Sequence, residues 1–264
     1  MSAAPPGHQA RKRFGQNFLH DANIIDNIIR SINPKPGDHI VEIGPGLGAI
    51  TEHLLDATEG HLDVVELDRD LIPILRTKFF NHSNFEIHEG DALKFDYETL
   101  VKGDYKLRMV GNLPYNISTP LIFKILEHER SIQDMHFMLQ KEVVERMAAA
   151  PGEKAYGKLG IMLQYYCRVQ PLFIVPPGAF KPRPKVDSAI VRLIPHTEKP
   201  IEVKDPVKLN QVVSSAFNMR RKTIRNSLGG MISANQLEDL GIDPGLRAEK
   251  LSLAEFAVIS DALI

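Results

Sequence analysis

Cysteine is almost missing: Cys167 is the single one among 264 residues, which excludes an internal disulfide and a multi-cysteine zinc site. That usage agrees with a reducing compartment, where a lone thiol beside Tyr165 and Tyr166 reads as half-buried filler. Long apolar runs are missing too, since no stretch approaches the roughly 18 uninterrupted residues of a membrane span. The first ten residues, MSAAPPGHQA, have no apolar signal-peptide core and read as a frayed terminus. The chain is therefore expected in the cytoplasm, where the sequon-like Asn116-Ile117-Ser118 has no meaning. The ten histidines lack ligand spacing: His88 opens HEGDA, but Ala92 stands where a zinc helix needs its second histidine. No metal is expected. Finally, a net charge of −1 and a pI near 6.8 exclude a protein coated with positive charge.

What is present is ordinary for a soluble globular chain, with 43% hydrophobic and 25% charged residues. The length allows one well-buried core and a second, smaller unit. Ile24, Ile25, Ile28, Ile29 and Ile32 fall on one helical stripe, with Asp21 placed to cap it and NPKPGD to stop it. Strand and helix signals then alternate through HIVEIG, AITEHLLDA, HLDVVELD, DLIPILRTKFF, NFEIHEGDAL, YKLRMVGN, TPLIFKILEH, IQDMHFMLQ and KEVVERMAA. This succession predicts an α/β fold, a doubly wound and mostly parallel sheet with helices on both faces. A helical stripe of Ile161, Met162, Tyr165 and Tyr166 precedes two closing strands, VQPLFIVP and AIVRLIP. The polar stretch from His196 to Lys208 reads as a linker. It divides the chain into a domain over residues 1–196 and a small C-terminal helical domain over 197–264. In the latter, Asp205-Pro206 starts a helix, Gly229-Gly230 stops another, and Ser252 with Glu255 forms a capping box.

The first sheet strand runs into EIGPGLG, a G-x-G-x-G turn over Gly44, Gly46 and Gly48 where a helix begins. Glycines there let backbone approach a ligand, and the helix N-terminus favours a negative group such as a carboxylate. The spacing differs from the G-x-G-x-x-G of dinucleotide enzymes, which disfavours an NAD-dependent oxidoreductase. Glu66 ends the second strand, where a carboxylate accepts both hydroxyls of a ribose. Asp91 follows the third in EGDAL, where a carboxylate accepts from an exocyclic amine. Each alone is also an ordinary strand-end acid. Together they suit an adenosine with a free ribose diol and no pyrophosphate, which describes S-adenosylmethionine better than NAD.

The fourth strand exits through Asn112-Leu113-Pro114-Tyr115 at the same edge. A turn is the plain explanation, because Asn and Pro favour turns. The chemical one is a grip on a flat ring bearing an amine. An adenine amino nitrogen is a poor nucleophile, its lone pair being delocalised into the ring. The Asn112 side-chain oxygen and the Pro114 carbonyl can accept its two hydrogens and orient that lone pair, while proline rigidifies the turn. Tyr115 would stack on the base, a contact worth roughly 1–3 kcal/mol.

With these residues in place, RKRFGQNFL, EIGPGLG, VVELD, EGDAL, GNLPY, AFKPRPKVDSAIVRL and FNMRRKTIRNSL together resemble the ribosomal RNA adenine N6-dimethyltransferases. The likeness is strongest to the bacterial branch that dimethylates two adjacent adenosines near the 3′ end of small-subunit (16S) ribosomal RNA, and it covers most of the chain from Arg11 onward. It implies a Rossmann-like class I methyltransferase, S-adenosylmethionine as cofactor, ribosomal RNA or the immature 30S subunit as partner, and a part in ribosome biogenesis. Residue by residue, it implies Asn17 and Leu19 over the methionine end of the cofactor beside Gly44. It puts Glu66 at the ribose, Asp91 at the adenine, and Asn112 between cofactor and target amine. Phe180 resembles the family's second aromatic ring, which would close over the base opposite Tyr115. Gly160 in KLGIM departs from the family, where Ser is more frequent, and bears on local helix stability.

The resemblance also gives the basic residues a purpose. Arg11, Lys12 and Arg13, then Lys181, Arg183 and Lys185, then Arg220, Arg221, Lys222 and Arg225 hold ten of the 32 lysines and arginines in three short windows. They are the expected RNA-binding residues, anchoring phosphates while a target adenosine is splayed out. Two other functions fit the same motifs: methylation of large-subunit RNA of the macrolide-resistance type, and an assembly factor that mainly occupies an immature subunit. A monomer is the default expectation.

Overall fold

The computed structural model describes residues 16–58, 61–219 and 221–264. The expected frayed terminus, Arg11, Lys12, Arg13 and Arg220 lie outside the described residues. The chain divides into two compact units, one holding the residues up to Val144 and Gln170–Pro195, the other Glu145–Val169 and His196–Ile264.

The first unit opens with a two-residue strand, β1 (Phe18–Leu19), and helix α1 (Ala22–Ile32). The Asp21 carboxylate accepts the N–H groups of Asn23 and Ile24 at 3.0 and 3.2 Å, and Asn33 closes the helix in left-handed backbone. Ile25, Ile28 and Ile32 form its buried face, as the isoleucine stripe predicts. Then come β2 (His39–Ile43), α2 (Ala49–Ala57), β3 (Leu62–Glu66), α3 (Leu71–Lys78), β4 (Phe85–Glu89), β5 (Leu107–Asn112), α4 (Ser118–Leu126) and β6 (Ile132–Gln140). In chain order there follow α5 (Lys141–Ala148), α6 (Lys158–Tyr166), which belongs to the second unit, β7 (Cys167–Val175), β8 (Phe180–Lys181) and β9 (Ser188–Pro195).

Seven strands form one sheet in the order β4-β3-β2-β5-β6-β9-β7. The strands β2 to β6 pair in parallel, and β9 runs antiparallel to β6. Every residue of β2 and β3 is buried, whereas the edge strand β4 is not. Such near-continuous apolar runs belong to strands covered on both faces. From β2 the chain builds outward through β3 and β4, then returns to the other side of β2 as β5. That reversal opens a crevice at the carboxyl ends of β2 and β5, where doubly wound sheets place their ligands.

One buried cation ties the other end together. Arg108 on β5 gives Nε and Nη2 to the two oxygens of Asp134 at 2.9 Å each, Nη1 to Asp38 at 2.6 Å and Nη2 to the Ile32 carbonyl at 2.6 Å. It joins the end of α1, the approach to β2 and the start of β6. With the guanidinium gone, Asp134, 2% exposed, would be a buried charge without its bidentate partner.

The second unit is helical, with α7 (Pro206–Asn218), α8 (Ile224–Ser227), α9 (Ala234–Asp239) and α10 (Leu253–Asp261). Asp205 caps α7 with Pro206 at its first position, and α7 takes the last three residues of the expected linker. The Ser252–Glu255 capping box forms, and a second one joins Ser233 to Gln236. The assignment of residues 1–196 to one domain differs from the contacts made by Glu145–Val169. The hydroxyl of buried Tyr156 donates to the Leu251 carbonyl at 2.8 Å, and Gln164 donates to the Met147 and Ala149 carbonyls at 2.9 and 3.0 Å. Gly160 lies inside α6, where an added Cβ would stand 2.6 Å from the Arg146 carbonyl oxygen. In this chain glycine permits that close approach. No helix among the described residues is long and apolar enough to cross a membrane.

Replacing Arg108 with Met is expected to lower the free energy of unfolding by about 3–5 kcal/mol, the usual cost of stranding a buried carboxylate. Urea denaturation followed by circular dichroism measures it, and a loss below about 1 kcal/mol would show that Asp134 finds other partners.

Candidate active site

The exits of β2, β3, β4 and β5 surround a cavity of about 300 Å³, and residues 16–19 form part of its wall. Asn17, Leu19, Gly44, Glu66, Asp91, Asn112, Pro114 and Tyr115 all line it. Parallel pairing explains why. Glu42–Ile43 beside Val64–Val65 and Val110–Gly111 brings the glycine turn, Glu66 and Asn112 out at one rim.

Gly44 has φ +65°, and no atom lies within 4 Å of where its Cβ would be. The backbone thus borders open space in a conformation that disfavours other residues. Gly48 at the start of α2 has φ +77°, and a Cβ there would stand 2.6 Å from the Phe79 ring. The start of α2 can pack against the end of α3 only without a side chain at this point.

The acids present unused acceptor capacity to the cavity. Glu66 accepts the Asp68 N–H on one carboxylate oxygen at 2.8 Å and the Gly46 N–H on the other at 3.4 Å. The Leu67 N–H also acts on it, so the carboxylate is fixed by backbone and keeps acceptor capacity toward the cavity. Burial pushes its pKa above the ordinary carboxylate value, partly offset by those backbone donors. Asp91 accepts the Leu93 N–H on Oδ1 at 3.0 Å, which shapes the turn after β4.

At the end of β5, Asn112 donates its Nδ2 to the Asn17 carbonyl at 3.1 Å. The amide is thereby oriented, with Oδ1 as its remaining acceptor. The Pro114 carbonyl accepts the Ile117 N–H at 3.1 Å. It therefore serves the turn and retains one lone pair for a ligand, rather than standing wholly uncommitted. Tyr115 is half-buried, and its hydroxyl meets Ser188 Oγ at 2.8 Å. One end of the ring is anchored to β9, and the ring itself lines the cavity.

Phe180 departs from its expected place. It is 1% exposed, belongs to the apolar cluster that includes Leu19, Ile28 and Ala179, and does not line the cavity beside Tyr115. Its backbone pairs antiparallel with Leu19, and the Ala179 carbonyl accepts the His20 N–H at 3.0 Å. In this conformation Phe180 holds the strand that walls the cavity. Of the expected RNA contacts, Lys181, Arg183 and Lys185 are exposed on the first unit, and Arg221, Lys222 and Arg225 on the second.

Two features of the site escaped the motifs. Gln16 donates to Asp68 at 2.8 Å across the mouth of the cavity. Glu42, 2% exposed, accepts the Thr51 hydroxyl at 2.5 Å. Burial pushes its pKa up to about 7, against the hydrogen bond from Thr51. A glutamate inside the apolar run HIVEI was the signal available for it.

Comparison with known proteins agrees with this geometry. A dimethyladenosine transferase from Plasmodium falciparum superposes with a TM-score of 0.78 at 27% identity, over 92% of this chain and 95% of that one. The 23S rRNA methyltransferase ErmE gives 0.73 at 25% identity, over 94% and 99%. Sheet order, glycine turn and acidic rim thus define a class I methyltransferase fold. More narrowly, the chain belongs to the ribosomal RNA adenine dimethylase family, whose pattern matches residues 7–264. A relative named ribosomal RNA small subunit methyltransferase A, from Marinobacter nauticus, is 65% identical over 97% of this chain and 92% of its own.

Glu42 gives the site a pH signature. The folded state keeps its proton up to about pH 7, while an unfolded chain releases it near the ordinary 4.5. The folded form binds more protons between those values, so stability falls as pH rises through that window. The fall is about 3 kcal/mol at roughly 1.4 kcal/mol per pH unit. Urea unfolding at stepped pH should show this slope flattened in Glu42→Gln, and an unchanged slope would assign it to other groups.

Proposed function

We propose that this chain transfers methyl groups from S-adenosylmethionine to N6 of two adjacent adenosines near the 3′ end of small-subunit ribosomal RNA, in the cytoplasm, on an immature subunit. One observation carries the reading: Gly44, Glu66, Asp91 and Asn112 share the rim of a single cavity at the switch point of the sheet. The far higher identity to a small-subunit relative than to a large-subunit enzyme supports that substrate over the resistance type.

The residues fit the cofactor. Glu66 offers acceptor capacity for a ribose diol, Asp91 an acceptor for an adenine amine, and Gly44 an open stretch of backbone without a side chain. When bound, S-adenosylmethionine supplies a methyl group on a sulfonium, electrophilic without further activation. The protein's task is then to hold the target nitrogen. Asn112 Oδ1, fixed through the Asn17 carbonyl, would accept one N6 hydrogen, and the spare lone pair of the Pro114 carbonyl the other. Tyr115, anchored through Ser188, would stack on the base. These acceptors are polarised in advance, and well-oriented reactants can lower a barrier by about 7–11 kcal/mol. A strong base is unnecessary, because a nitrogen bearing the new methyl and a positive charge is acidic.

Incubation with labelled S-adenosylmethionine and unmethylated small subunits, followed by mapping of the modified nucleotides, tests the reading. Label confined to large-subunit RNA would overturn it. Replacement of Asn112 by Ala should cut methyl transfer about 10²–10³-fold, as loss of one oriented dipole does elsewhere, with cofactor affinity largely kept. Equal loss of both would show that the amide holds the cofactor rather than the target.

The exposed cations would engage phosphates, so affinity for RNA should fall steeply with added salt. Charge reversal at Arg220, Arg221 and Lys222 is expected to weaken RNA binding and reduce its salt slope while leaving cofactor binding intact. Filter binding over a salt series checks this, and an unaltered slope would remove these residues from the interface.

A further inference from the structure

Away from the cavity, three imidazoles converge on one buried carboxylate. Asp63 on β3 is 1% exposed, and its Oδ2 lies 2.7 Å from His39 Nε2 and 2.9 Å from His61 Nε2. Its other oxygen lies 2.5 Å from His88 Nε2. The pairing of Ile40 with Leu62, with the Ile40 N–H on the His61 carbonyl at 3.2 Å, brings the first two histidines together. Their rings meet edge to face at 4.9 Å.

From this arrangement we propose that His39, His61 and Asp63 bind a divalent transition-metal ion, Zn²⁺ by preference. The three ligand atoms lie within 4.8 Å of one another. Around tetrahedral zinc, with bonds of about 2.0–2.2 Å, neighbouring donors stand roughly 3.3 Å apart. The present contacts of 2.7 and 2.9 Å need to open by about half an ångström; His61, 24% exposed, has room to open the second, and the first requires a small rotation of the buried His39 ring. Imidazole and carboxylate are the donors that suit zinc and cobalt. The contact between His88 and the second oxygen of Asp63 is the outer hydrogen bond that orients a ligating carboxylate. Among the described residues all ion-pair partners of Asp63 are imidazoles, so a bound cation would balance a buried negative charge.

The site is separate from the methylation cavity. His39 opens β2 and Gly44 follows its end, about 16 Å away at roughly 3.3 Å per residue. The expected role is a staple between β2 and β3 at their amino ends. Lys102 opposes it, since its exposed ammonium reaches His61 Nε2 at 3.4 Å.

Tag-free full-length protein, freed of metal and titrated with Co²⁺, should take up one equivalent with the intense visible bands of a tetrahedral site. Zn²⁺ should displace the cobalt and raise Tm. His61→Gln should bind at least tenfold more weakly and lose the Tm response, with an unaltered circular dichroism spectrum confirming its fold. Lys102→Met, which leaves all three ligands in place, should bind more tightly. Absence of stoichiometric cobalt uptake by the unaltered chain overturns the proposal, as does His61→Gln binding as well as the parent. Should His61→Gln fail to fold, an unchanged affinity in Lys102→Met would count against the site.

Discussion

The site depends on a single pairing, that of β5 against β2. Five residues of each strand lie in parallel register, from His39 beside Leu107 to Ile43 beside Gly111. Because the chain has already gone out through β3 and β4 on the other side of β2, this pairing sets the switch point and the crevice above it. It brings a backbone turn that excludes side chains next to an amide whose orientation is fixed from a third segment, through the Asn17 carbonyl. A slip of one residue would turn every inward side chain of β5 outward, and Asn112 would leave the rim with them.

The buried charge-bearing groups Arg108, Glu42 and Glu66 of the first unit are each held by neighbours. Arg108 stabilises one end of the sheet by pairing fully with Asp134 and Asp38. At the other end Glu66 and Glu42 are raised in pKa because the cavity takes them out of water. The contrast is instructive. Its carboxylate partners hold the Arg108 guanidinium charged against burial, whereas Glu42 has a hydroxyl for company and retains its proton to near neutrality.

Much of the fold was legible because its strands are covered on both faces. HIVEI, LDVVE and LRMVGN read as buried strands without alternation, and Asp21 and Ser252 announce helix starts by local chemistry alone. The rim was legible for the same reason, since each strand exit is fixed once the strand is. Phe180 was not. The resemblance put it over the target base, whereas the two-residue ladder to Leu19 draws it into the apolar cluster. Likewise the path of Glu145–Val169 rests on contacts such as Tyr156 to Leu251, 95 residues apart, which no local pattern carries. The histidines around Asp63 lack motif spacing because the fold, not the sequence interval, brings them together.

The order in which the chain leaves the ribosome adds something to the Leu19–Phe180 ladder and the Tyr115–Ser188 bond. All five parallel strands are complete by Gln140, before either Phe180 or Ser188 has been synthesised. Domains generally fold as units, and Gln170–Pro195 belongs to the same unit as those strands. On a nascent chain that has reached only Gln140, the segment at 16–19 still lacks its strand partner and the Tyr115 hydroxyl lacks its anchor. Completion of the cavity wall thus waits for the late return of the polypeptide at Gln170–Pro195.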